Sequence, residues 1–99
     1  MRKAKPRLKI KRRKVKFSLE STNATEVILL GDFNNWDPKA HPMKNDGNGV
    51  WNQTMMLPAG KYEYKFLIDG IWKEDPGNER TCPNCFGTLN SVLNIIIPS

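Results

Sequence analysis

The chain is poor in the groups that do chemistry. Its 99 residues include one histidine, His41, and two cysteines, Cys82 and Cys85. No glycine-rich phosphate loop and no nucleophile-elbow sequence occurs, and His41 stands between Ala40 and Pro42, so a Ser-His-Asp arrangement has no support. Glycoside hydrolysis needs two carboxyl groups held across a cleft. Asp32, Asp37, Asp69, Glu74 and Asp75 are available, but they lie in turn-forming stretches where such side chains serve local geometry. These absences predict a protein that is not an enzyme. The chain also lacks a long apolar run. Val92 to Pro98 is the most apolar stretch, far short of the ~20 residues a bilayer span requires. No apolar segment follows the basic start, so a cytoplasmic location without a membrane span is expected.

Acid is missing from the start of the chain. Residues 1–16 hold ten of the sixteen Lys and Arg and no Asp or Glu. The remainder carries six bases and ten acids, a net charge of −4. The overall +6 therefore describes a basic arm on a mildly acidic body. Nucleic-acid association through that arm would be non-specific and salt-sensitive, and nucleic acid is disfavoured as the main partner. The expected division is an arm over 1–14 and a folded domain over 15–99.

A helical period is absent as well, and alternation is present. Val15, Phe17 and Leu19 alternate with Lys16, Ser18 and Glu20, which suits a half-buried strand. Glu26 to Leu30 reads as a central strand. Asn45 to Gly49, "NDGNG", is a hairpin turn leading to a strand over Val50 to Leu57. Tyr62, Tyr64, Phe66 and Ile68 alternate with Glu63, Lys65 and Leu67, and Asp69-Gly70 then turns the chain back through Ile71 to Lys73. Glu74 to Phe86 reads as a long loop and Ser91 to Ile97 as a last strand. Six or seven short strands at this spacing predict an all-β sandwich.

Aromatic residues are the informative surplus. Trp36 and Trp72 stand in or just after turns, outside any clean alternation, whereas Trp51 lies within a strand. Exposed rings on a small domain point to a binding surface. Asn and Lys beside them supply hydrogen bonds. A sugar, with an apolar face and a rim of hydroxyls, fits such a surface, and so does a stacked nucleobase. Alternation sends Lys65 outward if Tyr64 and Phe66 face the core. The turn at Asp69-Gly70 then returns Trp72 to the same side. By themselves these residues also allow a blander reading, in which the rings pack on each other, Lys65 is a solvated sheet residue and Asn90 satisfies loop backbone.

Three motifs in order, "GDFNNWDP" from Gly31, "YEYKFLIDGIW" from Tyr62 and "FGTLNSV" from Phe86, resemble the glycogen-binding domain of AMP-activated protein kinase β subunits. They also resemble the early-set domains of isoamylases and glycogen-branching enzymes. These domains form the family 48 carbohydrate-binding modules, and the likeness runs from about Val15 to Ile97. It implies an immunoglobulin-like (early-set) β-sandwich of about seven strands that binds α-1,4-glucan without catalysis or cofactor. A protein partner from glycogen or starch metabolism is also implied as possible. The carbohydrate-binding residues it implies are Trp36, Lys65, Trp72, Phe86, Thr88 and Asn90. Phe86 stands where the family carries leucine, and the loop before it is about one residue longer. In many enzyme-linked members the sandwich only packs on its neighbour and holds no sugar. The two alternatives are therefore a protein-docking module that binds no sugar, and nucleic-acid association through the arm. Cys82-Pro83-Asn84-Cys85 supplies two ligands where a structural zinc takes four and has no following helix to lower a thiol pKa. No metal is expected, and the thiols are read as reduced.

Overall fold

The computed structural model describes residues 11–97. Most of the expected basic arm lies outside the described residues. Among the described residues eight strands follow in order: β1 (Arg12–Glu20), β2 (Val27–Gly31), β3 (Lys44–Asn45), β4 (Val50–Pro58), β5 (Gly60–Ile68), β6 (Ile71–Lys73), β7 (Thr81–Pro83) and β8 (Leu89–Ile95). One sheet has the order β1-β4-β3. The other has the order β2-β5-β8-β7, with β6 paired to the far end of β5. All pairings are antiparallel. Among the described residues a single 3₁₀ turn, Asp32–Asn34, follows β2. The chain is an all-β sandwich, as the alternation predicted.

Between the sheets lie Phe17 and Leu19 from β1, Val27 and Leu29 from β2, Trp51 and Leu57 from β4, and Tyr64 and Phe66 from β5. Met43 and Ile95 complete this cluster. Both expected hairpin turns form. Gly47 and Gly49 take φ of 93° and 83°, and Asp69 and Gly70 take 48° and 84°. At Asp69-Gly70, positive φ at both central residues is the type I′ geometry that matches strand twist.

Several details depart from the sequence reading. β1 begins at Arg12, so the expected boundary at residue 14 falls inside a strand, where Arg12 faces Pro58 and Lys14 faces Met56. Arg12, Lys14 and Lys16 are exposed on β1, the edge of its sheet among the described residues, and charge there discourages further pairing. β2 is not central in the ladder. All five of its residues are nonetheless buried, because the 41–43 segment covers its free side: Leu29 N donates to His41 O and Met43 N to Val27 O. Trp51 is a core residue whose Nε1 donates to Ser21 O at 3.0 Å. The long loop expected from Glu74 to Phe86 contains β7, and the final strand starts at Leu89, which makes Asn90 a strand residue.

Candidate functional site

Pleating decides which side chains reach the outer face of the β2-β5-β8-β7 sheet. On β5, Tyr64 and Phe66 point into the core, so Glu63 and Lys65 point outward. Antiparallel partners share a face. Trp72 is opposite Leu67 and Cys82 opposite Asn90, which places all four on that outer side. Two loops rise beside this face. One is Gly31–Trp36, and the other is the tip of the β7–β8 hairpin, residues 84–88. Together they enclose a groove of about 720 Å³. All six residues singled out in the sequence line it: Trp36, Lys65, Trp72, Phe86, Thr88 and Asn90. Asp32, Glu63, Asn84 and Cys85 line it too.

The first loop is built to hold one ring. Gly31 passes so close to β5 that an added Cβ would sit 2.7 Å from Glu63 O and 2.8 Å from Tyr64 Cβ. Asn34 closes the turn, its Oδ1 accepting from Gly31 N and its Nδ2 donating to Leu29 O. The same amide lies 3.0 Å from His41 Nδ1, which occupies the only histidine with a local contact. Asn35 and Trp36 then adopt φ of 56° and 55°. A positive φ is costly for a bulky residue and persists where the surroundings enforce it. Here Trp36 N donates to Gly31 O at 3.0 Å. Asp32 ties the ring itself: Oδ1 accepts Trp36 Nε1 at 3.0 Å and Oδ2 accepts Glu63 N at 2.8 Å. With its N–H spent, the indole offers the groove an apolar surface.

Trp72 comes from the short edge strand β6 and is half exposed. Its ring centroid lies 6.3 Å from that of Trp36, with planes inclined at 61°. The two rings thus form a corner and not a flat stack. Lys65 is only 7 % exposed, so the solvated reading of it is wrong. Its Nζ donates to Thr88 Oγ1 at 2.9 Å. An ammonium has three donors, which leaves two without a side-chain partner among the described residues.

The hairpin tip is organised by Asn84, which the sequence did not single out. Its Nδ2 donates to Thr88 Oγ1 at 2.7 Å and to Asn90 Oδ1 at 2.9 Å. Its Oδ1 accepts from Phe86 N and Thr88 N. The Asn-x-x-Gly-Thr spacing of a tight turn was the available signal. Phe86 is left 85 % exposed at the tip. Asn90 is buried and spans the groove floor, its Nδ2 donating to Glu63 Oε1 at 3.0 Å. Contacts from the Cys82 thiol and from Asn90 hold the Glu63 carboxyl below its ordinary pKa, against the opposing effect of burial. The same contact with Glu63 pushes the Cys82 thiol up and so keeps it protonated. No group of three potential metal ligands occurs among the described residues.

Residues 14–98 match the family model described as the glycogen recognition site of AMP-activated protein kinase. The chain belongs to this family. Protein PTST homolog 2, chloroplastic, from Arabidopsis thaliana is 46 % identical over 54 residues, which is 54 % of this chain and 10 % of that protein. 5'-AMP-activated protein kinase subunit beta-2 from Homo sapiens is 35 % identical over 75 residues, 76 % of this chain and 26 % of that subunit. Protein FLOURY ENDOSPERM 6, chloroplastic, from Oryza sativa subsp. japonica is 38 % identical over 75 residues, 76 % of this chain and 14 % of that protein. The chain therefore spans about a quarter or less of the length of these relatives.

Proposed function

We propose that the domain is a non-catalytic module that holds an α-1,4-glucan segment, such as glycogen, starch or a maltooligosaccharide, in the groove between Trp36, Trp72 and the hairpin tip. The observation that carries this reading is convergence. Six residues from four separate stretches of chain line one groove, with two indoles at a corner and Lys65, Thr88 and Asn90 in the same lining. Inclined rings suit a curved ligand better than a flat one. The polar groups supply directed hydrogen bonds at the rim of each sugar ring. Membership of a glycogen-recognition family supports the same ligand class. We take the setting to be cytoplasmic, with Cys82 and Cys85 reduced.

Calorimetric or NMR titration of the chain with maltoheptaose tests the reading. A tryptophan exposes roughly 75–125 Å² when half of its ~150–250 Å² is free. Covering that area at ~25 cal/mol per Å² yields about 2–3 kcal/mol as an upper bound. Trp72→Ala should therefore weaken maltoheptaose binding by roughly 10- to 100-fold while the domain still melts cooperatively. Trp36→Ala should act in the same direction. Wild-type affinity in both variants would place glucan binding elsewhere.

A docking role is the second reading, favoured by Phe86 standing 85 % exposed at the tip and by the short share of each relative that the domain covers. A protein partner captured equally by wild type and Trp72→Ala, with no response to maltoheptaose, would select it. Nucleic acid fits the groove poorly, since Asp32 and Glu63 line it and would repel phosphate.

A further inference from the structure

Trp72 lines two grooves. A second depression of about 740 Å³, the far groove, is lined by Trp72 and not by Trp36. Lys65, Trp72 and Thr88 line both grooves, so the two spaces adjoin at these three side chains. The Trp36 and Trp72 planes meet at 61°. A ligand that lies along both rings meets a change of plane there.

The half-buried residues of the far groove, Asp75 and Asn78, are already hydrogen-bonded within the domain. Asp75 accepts Tyr64 OH at 2.6 Å and Gly77 N at 2.8 Å. Asn78 donates to Tyr64 OH at 3.1 Å and to Val92 O at 2.8 Å. The rim of that groove is the opposite. Lys73, Glu74, Glu79 and Thr81 are exposed and make no side-chain hydrogen bond among the described residues. At the boundary Thr88 Oγ1 accepts from both Lys65 and Asn84. Both of its lone pairs are therefore taken, and its O–H remains as a donor.

We propose that the far groove is a continuation subsite for the same glucan chain, bound across Trp72; this extension rests on the reading of the first groove given above. The rim chemistry selects the ligand class. Saccharide hydroxyls donate to Glu74 and Glu79 in charge-assisted bonds and accept from Lys73 and Thr81. Two carboxylates disfavour a polyanion. A divalent cation has no set of three ligands among the described residues, and Lys73 stands beside the carboxylates. The site thus grips a longer α-glucan segment than the first groove holds.

The test compares maltotriose with maltodecaose on the full chain, following backbone amides by NMR and affinity by calorimetry. Maltotriose should shift groups of the first groove. Maltodecaose should shift residues 73–81 as well and bind more tightly. The double substitution Glu74→Ala/Glu79→Ala should weaken maltodecaose by about three- to tenfold, the effect of losing one typical hydrogen bond at a solvent-exposed site, with maltotriose affinity and melting temperature unchanged. Unshifted 73–81 amides with maltodecaose, or a double variant that binds maltodecaose like wild type, would overturn the continuation. Absence of any shift in the first groove with either sugar would instead overturn the glucan reading itself, and the continuation with it.

Discussion

Asp32 makes no expected sugar contact, yet its loss should be felt at the ligand. Its carboxylate binds Trp36 Nε1 at 3.0 Å and Glu63 N at 2.8 Å, so it joins the ring to the central strand. Asp32→Ala removes both bonds. Hydrogen bonds to a charged group are worth about 1.5–3 kcal/mol each, but Asp32 is exposed and water replaces it in part, so about 1–2 kcal/mol in total is expected. For a domain of this size each 1 kcal/mol moves Tm by roughly 4–8 °C, so Tm should fall by about 4–16 °C. The freed indole also has to be ordered on binding. Immobilising one side chain costs about 0.5–1.5 kcal/mol, which predicts a two- to tenfold loss of maltoheptaose affinity. A double-mutant cycle isolates the route. If Asp32 acts by holding the ring, Asp32→Ala should add almost nothing to the affinity loss of Trp36→Ala. Additive losses would mean that Asp32 touches the sugar directly. An unchanged Tm together with unchanged affinity would refute the tether altogether.

Gly31→Ala should destabilise the domain by about 1–3 kcal/mol, because its methyl would meet the Glu63 carbonyl at 2.7 Å; a chemical-denaturation midpoint equal to wild type would show that the backbone yields. Tyr64→Phe removes the bond to Asp75 and leaves the Asn78 amide nitrogen with Val92 O alone. It should cost about 1–2 kcal/mol and raise amide exchange over residues 74–80, and unaltered exchange there would exclude Tyr64 as the anchor of that segment. Burial first, and then the Asp75 carboxylate, push the Tyr64 hydroxyl pKa up. The stabilisation this represents is complete below the unfolded tyrosine value of ~10 and is lost only as pH rises through the higher folded value. Glu63 behaves in the opposite sense. Its folded pKa is depressed by the Cys82 thiol and the Asn90 amide, so its contribution is present above the unfolded value of ~4.3 and disappears as pH falls through the lower folded one. Glu63→Gln should flatten that part of the acid melting profile; identical profiles would remove Glu63 from the account.

Sequence and structure agree where one residue's neighbours along the chain decide the outcome. Alternation from Tyr62 to Ile68 needs only its own pleat to define two faces, and "NDGNG" and Asp69-Gly70 need only their own φ preferences. β7 was invisible because Thr81-Cys82-Pro83 has no period of its own; it is a strand because β8 pairs with it. Lys65 reads as solvated because nothing beside it in the chain covers it. The groove walls come from Trp36 and Trp72 and from a tip about fifty positions away from the first of them. Asn84 and Asp32 look like turn residues, and they are; their hold on Thr88, Asn90 and Trp36 depends on which strands their loops pack beside.

The sequence by itself determined the all-β class, the two tight hairpins, the outward side of β5 and the identity of the aromatic residues available for display, since each follows from periodicity or from the dihedral preferences of single residues. Only the tertiary structure decided that Trp36 and Trp72 meet at a corner, that Lys65 is buried yet faces the groove, and that a second groove adjoins the first at Trp72. Those features depend on distances between loops remote in the chain, and such distances are set by how two sheets pack and not by local preference.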